Sequence, residues 1–162
     1  MAMRLVVCSL KTGGPQTIPP SSTDYVIVRF PFNGESDDSD GLHDPVQPDT
    51  LQATTASHPR AGLIWPQHTA WATLNGLMYW DHGDYTEIRS RFIRDPLSLT
   101  TGYDSTATED DPPSVGGQYK IKNWNMWVHP MTPVALAVRH NSRQDQYLSL
   151  AEFKVSYWVN EV

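Results

Sequence analysis

The first chemistry that the sequence suggests is calcium binding, in the acidic segment Glu-Ser-Asp-Asp-Ser-Asp-Gly at residues 35–41. Calcium loops place oxygen ligands at alternate positions ahead of a turn glycine, and Asp38, Asp40 and Gly41 match three such positions. Gln47 stands where a bidentate glutamate belongs, and no helical pattern flanks the segment. We therefore interpret the segment as a solvated acidic loop, and keep Asp38 and Asp40 as candidate ligands of an irregular calcium site.

A second kind of chemistry is hydrolysis by paired carboxylates. Asp81, Asp84 and Glu87 could act as in a glycosidase, whose two carboxyl groups lie about 5–9.5 Å apart, but they occupy a predicted hairpin turn, where acidic residues commonly form the turn. The sequence has no Gly-x-Ser-x-Gly nucleophile elbow, phosphate loop or dinucleotide fingerprint. Its six histidines are not spaced as zinc ligands. The sequence thus predicts a protein that is not an enzyme and that uses neither a cofactor nor a metal.

Aromatic residues offer a third kind of chemistry, which is binding. The chain has six Trp, seven Tyr and four Phe, and tryptophan is enriched at protein interfaces. Trp124 and Trp127 must leave opposite faces of a strand, because side chains alternate along it. These residues therefore cannot all enter one core, which predicts contacts between subunits; the alternative is that several of them cap the ends of a single core. The interface candidates are Trp71, Tyr79, Trp80, Trp124, Trp127 and Trp158.

Charge and composition exclude several classes of partner. The chain of 162 residues has a net charge of −6, whereas binding of nucleic acid requires clustered Lys and Arg. No segment approaches the ~20 apolar residues of a membrane span, so we expect no membrane insertion. The single cysteine, Cys8, cannot form an intrachain disulfide. No signal peptide is evident, so we expect synthesis in a cytoplasm without export.

The elements that must position these residues are β-strands. Residues 151–159, Ala-Glu-Phe-Lys-Val-Ser-Tyr-Trp-Val, alternate apolar and polar side chains as a half-buried antiparallel strand requires. No window has the apolar period of a helix. The prediction is an all-β protein, an antiparallel β-sandwich or jelly roll of roughly eight to ten strands. Strands are predicted at residues 24–32, 63–66, 69–80, 85–94, 97–103, 118–128, 133–140 and 151–159.

The remaining segments are predicted to be irregular. Residues 1–23 are interpreted as an extended N-terminal arm for attachment, ahead of a jelly-roll domain at residues 24–162. Within this arm, residues 3–10 alternate weakly and are either a first strand or a tail that pairs with a neighbour, and residues 11–23 are rich in Gly and Pro. Residues 104–117 form an acidic segment with Pro and Gly, which is interpreted either as a long recognition loop or as an ordinary flexible connector. The candidates for its tip are Thr108, Glu109, Asp110 and Asp111.

The order of the segments supports a family resemblance. Gly-Leu-His-Asp-Pro at residues 41–45 precedes Leu-Ile-Trp-Pro at 63–66, an aromatic strand, and Glu-Ile-Arg-Ser-Arg-Phe-Ile at 87–93. Pro-Val-Ala-Leu-Ala-Val-Arg-His-Asn-Ser follows at 133–142, ahead of the last strand at 153–159. Over residues 24–160 this pattern resembles the jelly-roll heads of the complement and tumour-necrosis-factor-like superfamily, in the version found on bacteriophage virions.

The resemblance implies a homotrimer that packs aromatic faces around a threefold axis. It also implies a structural or adhesive role on a virus particle. Our first interpretation is a non-enzymatic structural protein of a phage virion, tail-associated as a minor tail or fibre-type protein, with a host-surface glycan as a candidate partner. Its N-terminal arm would bind other virion proteins. Two alternatives stay open: a capsid decoration protein, and a carbohydrate-binding module or glycan-active enzyme.

Overall fold

The computed structural model describes residues 2–12, 14–21, 23–99, 104–112, 114 and 117–161. These residues contain nine strands, one 3₁₀ turn at Pro59–Gly62 and no α-helix. The strands are β1 (Met3–Thr12), β2 (Gln16–Ile18), β3 (Val26–Ile27), β4 (Ala70–Trp80), β5 (Ile88–Arg94), β6 (Asp104–Asp111), β7 (Gln118–Val128), β8 (Val134–His140) and β9 (Gln146–Asn160).

The strands form two antiparallel sheets that pack face to face. Sheet A has the order β1-β9-β4-β7, with β2 also paired to β9. Sheet B has the order β3-β8-β5-β6. The predicted all-β antiparallel sandwich is therefore confirmed, because each sheet buries one apolar face against the other.

Strict alternation builds the core between the sheets. In β4 every second side chain from Ala70 to Trp80 is buried, and β9 repeats this pattern from Ala151 to Val159. Phe92 of β5 stacks on Phe153 of β9, with ring centroids 5.8 Å apart, so this pair joins the centres of the two sheets.

Ion pairs connect the two sheets where the edge strands β6 and β7 face each other. Lys122 Nζ lies 3.1 Å from Glu109 Oε2, and Lys120 Nζ lies 3.0 Å from Asp111 Oδ1. The Lys122 side chain is only 4% exposed and its ammonium lies 5.8 Å from the centroid of the Phe92 ring. Burying an ammonium group costs free energy unless a negative charge compensates it. The Glu109 carboxylate therefore stabilises the buried Lys122 side chain.

We expect Glu109→Gln to lower the free energy of unfolding by about 1–3 kcal/mol, because it leaves the Lys122 ammonium buried without its carboxylate. Urea denaturation of the two proteins measures the difference. The double variant Lys122→Met, Glu109→Gln should recover most of the loss, since it removes both charges. A Glu109→Gln protein as stable as the unchanged chain would contradict this reading of the pair.

Two sequence-based interpretations are corrected by the strand pairing. Residues 3–12 are not a separate arm, because β1 pairs with β9 from Met3 opposite Asn160 to Thr12 opposite Ala151. The boundary after residue 23 therefore does not divide the fold, and a role of this segment in attachment stays a prediction. The second correction concerns the predicted recognition loop: its tip candidates Thr108, Glu109, Asp110 and Asp111 lie in β6, an edge strand paired with β5.

Three other predicted strands are largely absent, and β5 and β9 begin at residues 88 and 146 instead of 85 and 151. The strand predicted at residues 63–66 is a single bridge from Ile64 to Val134. The strand predicted at residues 24–32 is reduced to β3. Of the strand predicted at residues 97–103, residues 100–103 lie outside the described residues, and residues 97–99 form turns.

Candidate interaction surface

The face of sheet A that points away from the core carries a row of large apolar side chains across four strands, here called the tryptophan row. Leu5 of β1 is paired with Trp158 of β9, and Trp71 of β4 with Trp127 of β7. The pairing of Ala72 with Tyr157 brings Trp71 beside Trp158. The four residues therefore follow one another across the sheet at one of its ends.

The tryptophan row is exposed to solvent. Trp71, Trp127 and Trp158 keep 55%, 52% and 57% of their surface accessible. The Trp71 and Trp127 rings meet edge to face with their centroids 5.7 Å apart, so they hold each other in place. Rigid, exposed indole rings of this kind are typical of a surface that a partner covers.

A second apolar group, here called the tyrosine patch, lies at the other end of the same face. Tyr79 is paired with Tyr119 and with Leu150, and Leu77 is paired with Ile121. The rings of Tyr79 and Tyr119 lie 4.6 Å apart, and Tyr119 and Ile121 are more exposed than the tryptophans of the row. The outer face of sheet A is thus apolar at both ends.

A polar belt separates the two apolar groups. It contains Thr73, Asn125, Asn75 and Lys154, and Asn125 Nδ2 donates a hydrogen bond of 2.8 Å to Thr73 Oγ1. A shallow cavity of about 320 Å³ opens between this belt and the tyrosine patch. The belt supplies amide and ammonium groups that can fix the orientation of a covering partner.

The structure divides the remaining aromatic candidates. Trp80 is 1% exposed and lies in the core, where its ring meets those of Tyr85 and His140 at 5.7 and 5.9 Å. Its assignment to an interface is wrong, because it follows Tyr79 in β4 and so points inward. Trp124 is paired with the buried Leu74, yet it remains 47% exposed because β7 is the edge strand of sheet A. Trp124 thus lies on the rim of the sandwich.

Comparison with solved structures identifies this arrangement of strands. The chain aligns with Eiger TNF from S. frugiperda at 12% identity and TM-score 0.58, over 98% of this chain and 94% of that one. The chain aligns with murine APRIL at pH 8.0 at 10% identity and TM-score 0.60, over 95% of this chain and 99% of that one. The fold is the TNF/C1q jelly roll. The globular domain of zebrafish complement 1qA aligns likewise, at 10% identity and TM-score 0.57, over 98% and 100% of the two chains. No family model and no curated protein sequence matches the chain.

The carboxylates of the calcium candidate are engaged by the chain itself. Asp38 accepts the backbone N–H groups of Leu42 and His43, one on each oxygen, at 2.8 Å. Asp40 accepts both of its bonds from Arg4 Nη1, at 2.7 and 2.9 Å. Within the described residues no group of three or more His, Cys, Asp or Glu side chains is placed to hold a metal ion. The geometry favours the interpretation of a structural acidic loop.

The candidate glycosidase carboxylates have structural partners as well. Asp81 accepts a hydrogen bond from Ser149, Asp84 accepts one from Ser142, and Glu87 Oε1 lies 2.7 Å from Arg89 Nε. Ser142 lies near His140 and Asp84, but its hydroxyl donates directly to Asp84. His140 is buried, and both of its ring nitrogens are hydrogen-bonded to the backbone: Nδ1 accepts from the Ser142 N–H, and Nε2 bonds to the carbonyl oxygen of Ile18. This trio therefore lacks the geometry of a nucleophile activated by a base.

Two further groups have structural explanations. Burial raises the pKa of the Cys8 thiol well above its usual range, and this keeps the cysteine unreactive inside the core. In the described part of the chain, no helix has the length and hydrophobicity needed to cross a membrane.

Sequence reasoning missed a cluster on the outer face of sheet B. Arg89 and Arg91 alternate with buried residues of β5 and lie on the outer face of that strand. The guanidinium of Arg91 lies 3.6 Å from the centroid of the Tyr25 ring, and that of Arg139 lies 5.5 Å from it. Hydrogen bonding to Glu87 raises the pKa of Arg89. The basic alternation at residues 89–91 was a visible signal, but the partners Tyr25, just before β3, and Arg139 of β8 were not.

Proposed function

We propose that this chain is a non-enzymatic structural protein of a bacteriophage virion, tail-associated in the manner of a minor tail or fibre protein, that assembles as a homotrimer. The observation that carries the proposal is the exposed outer face of sheet A. Its role is binding: the outer face of sheet A joins the subunits, and the loops contact the host surface.

Burial of the tryptophan row supplies the driving force for assembly. A tryptophan side chain buries about 150–250 Å² when it is fully covered, and roughly half of that remains exposed on each of three neighbouring indoles. Together with the tyrosine patch, this face provides a large part of the ~800 Å² that each partner buries in a stable interface. A monomer would leave that apolar surface in water.

The position of Trp124 favours a ring over a twofold dimer. A closed ring uses two different patches on each subunit, whereas a twofold dimer joins one patch to itself. The outer face of sheet A is one patch, and the rim at β7, where Trp124 extends beyond Leu74, is a second. In a ring of three copies, the β7 rim of each subunit covers the outer face of sheet A of the next subunit, so both patches are buried. The family resemblance also implies a trimer.

The assignment to a phage particle is supported by the order of sequence segments described above. Its test has two parts. Sedimentation equilibrium of the purified protein should give three times the 18.3 kDa mass of the chain. Labelled antibodies on intact particles should then bind the tail; binding to the capsid would indicate a decoration protein, and a monomeric mass would overturn the assembly itself.

A further inference from the structure

The chain contains two Asn-Gly pairs, at residues 33–34 and 75–76. In such a pair the glycine nitrogen can attack the carbonyl carbon of the asparagine side chain, because glycine has no Cβ to hinder the approach. The reaction needs a backbone that can turn and a glycine N–H group that no hydrogen bond holds. The fold places the two pairs in opposite environments in both respects.

The first pair lies in a turn at the surface. Asn33 has a positive φ of 65°, a conformation that asparagine tolerates in turns. Gly34 is exposed, and within the described residues its N–H group donates no hydrogen bond. The Asn33 carboxamide makes no hydrogen bond to the described part of the chain either. The side chain can therefore reach the Gly34 nitrogen without breaking a contact.

The second pair lies in the middle of β4, between β9 and β7. Asn75 is opposite Asn123 of β7 and Lys154 of β9. Ladder hydrogen bonds on both sides therefore hold the backbone of Asn75 and Gly76 extended. On the core side, the Leu136 side chain lies 3.3 Å from the position of a Cβ at Gly76, so the backbone has no room to move inward. The same dipeptide is thus held against reaction here.

The other asparagines are hindered in different ways. Asn141 precedes a serine, which is small enough to permit the same reaction. Its carboxamide is held at both ends, because Oδ1 accepts the N–H groups of Thr86 and Glu87 at 2.9 and 3.0 Å, and Nδ2 donates to Thr86 Oγ1 at 2.9 Å. The remaining three asparagines precede Trp, Met or Glu, whose side chains obstruct the attack.

We propose that Asn33 is a site of spontaneous deamidation in the folded protein. The Gly34 nitrogen loses its proton and bonds to Asn33 Cγ, the Cγ–Nδ2 bond breaks, and the nitrogen leaves as ammonia after taking up a proton. Water then opens the five-membered succinimide ring. Opening at Cγ gives aspartate, and opening at the main-chain carbonyl carbon gives isoaspartate, in which the chain runs through Cβ and Cγ. No atom is oxidised or reduced. The modification goes beyond the proposed function and does not depend on it.

Isoaspartate at this position alters the spacing of two anchors of the loop. The Phe32 ring stacks on the His43 ring with centroids 4.6 Å apart, and Glu35 Oε1 lies 2.6 Å from His43 Nδ1, so the residues on either side of the pair hold one buried imidazole. Ser36 N–H then donates to the Ser9 carbonyl at 2.9 Å, which fixes the segment on β1. One extra main-chain carbon between Phe32 and Glu35 should loosen these contacts.

Peptide mapping of the folded protein, incubated at physiological temperature, tests the proposal. Trypsin places the two Asn-Gly pairs on separate peptides, residues 30–60 and 61–89. Deamidation of Asn33 should raise the mass of the first peptide by about one unit. It should proceed at least about tenfold faster than at Asn75, because the ladder must open before Gly76 can react. The rate should rise with pH, since the glycine nitrogen must lose its proton. An unmodified Asn33, or equal rates at the two pairs, would overturn the assignment.

Two controls separate the fold from the local sequence. In urea, where the ladder is lost, the two pairs should react at similar rates; a difference that persists there would assign it to the neighbouring residues and overturn the role of the fold. Asn33→Gly tolerates the positive φ and removes the carboxamide. This variant should show no mass gain in residues 30–60 and no cleavage between residues 33 and 34 by hydroxylamine, which attacks the succinimide.

Hydrogen exchange measures the effect on the loop. After incubation, the amides of Ser36 and Asp37, which both donate to the Ser9 carbonyl, should exchange faster in the unchanged chain. They should keep their original rates in Asn33→Gly incubated in the same way. The same acceleration in both proteins, or none in a chain that has deamidated, would overturn the effect of Asn33 on the loop.

Discussion

Trp158→Glu is expected to convert the assembled protein into monomers. Trp158 lies in the middle of the tryptophan row, between Leu5 and Trp71, and 57% of its surface is accessible in the single chain. A buried interface tryptophan commonly contributes about 2–4 kcal/mol per contact, and the variant also places a carboxylate where water is excluded. We expect each subunit contact to weaken by roughly 100-fold or more. Sedimentation velocity at micromolar concentration measures the change.

Two control variants isolate the role of the row. Val46→Glu adds the same charge at a residue that is 55% exposed but lies outside both sheets, and it should leave the assembly intact. Trp158→Phe keeps an aromatic ring and should weaken the assembly less than the glutamate does. A Trp158→Glu protein that folds and still sediments as the assembly would show that the row is not the interface.

Gly62→Ala is expected to cause a large loss of stability, because the added methyl group would meet the backbone of a neighbouring segment. A Cβ at residue 62 would lie 2.1 Å from the carbonyl oxygen of Val28 and 2.5 Å from Ile27 Cγ2. The oxygen cannot withdraw easily, since Val28 N–H donates to Leu136 and so ties this segment to β8. We expect a loss of at least about 3 kcal/mol, equivalent to roughly 6–12 °C in Tm for a chain of this size.

Gly14→Ala is the matched control for this prediction. A Cβ at residue 14 has no other atom within 4 Å, so the same chemical change should alter stability by less than about 0.5 kcal/mol. Thermal denaturation must compare the proteins at one concentration, because the Tm of an assembly depends on it. Equal Tm values for the two variants would contradict the close approach at Gly62.

The bounds of two strands were predicted to within one residue. β7 occupies the predicted residues 118–128, and β8 differs from its prediction by one residue at its start. Polar and apolar residues largely alternate in β7, whereas β8 begins as a continuous apolar run, and both signals lie within the strand itself. By contrast, the alternation within β1 is weak, and it left a first strand and a tail as alternatives. The strand that pairs with β1, β9, lies near the other end of the sequence, so no local pattern could decide between them.

The acidic strand β6 shows why composition misled the prediction. Acidic residues with Pro and Gly are typical of a solvated loop. In the fold, Lys122 pairs with Glu109, Arg89 with Asp110 and Lys120 with Asp111, so the acidic side chains become counter-ions of basic groups on the neighbouring strands. These basic partners lie on β5 and β7, so the sequence of β6 alone does not predict the ion pairs.

Of the six aromatic candidates, four lie on the outer face of sheet A, Trp124 lies on its rim and Trp80 lies in the core. Alternation requires Tyr79 and Trp80 to lie on opposite faces, but it does not tell which face the second sheet covers. The same limit applied to Tyr25, whose contact with Arg91 and Arg139 joins three strands that are distant in the chain.

The sequence by itself determined that the chain forms two-faced strands and hence a sandwich, because the alternation of side chains is a property of the extended backbone. The tertiary structure alone decided which face became the core, which tryptophans stayed in water and where the arginines gathered. Those outcomes depend on strand register, and register is set by contacts between residues that lie far apart along the chain.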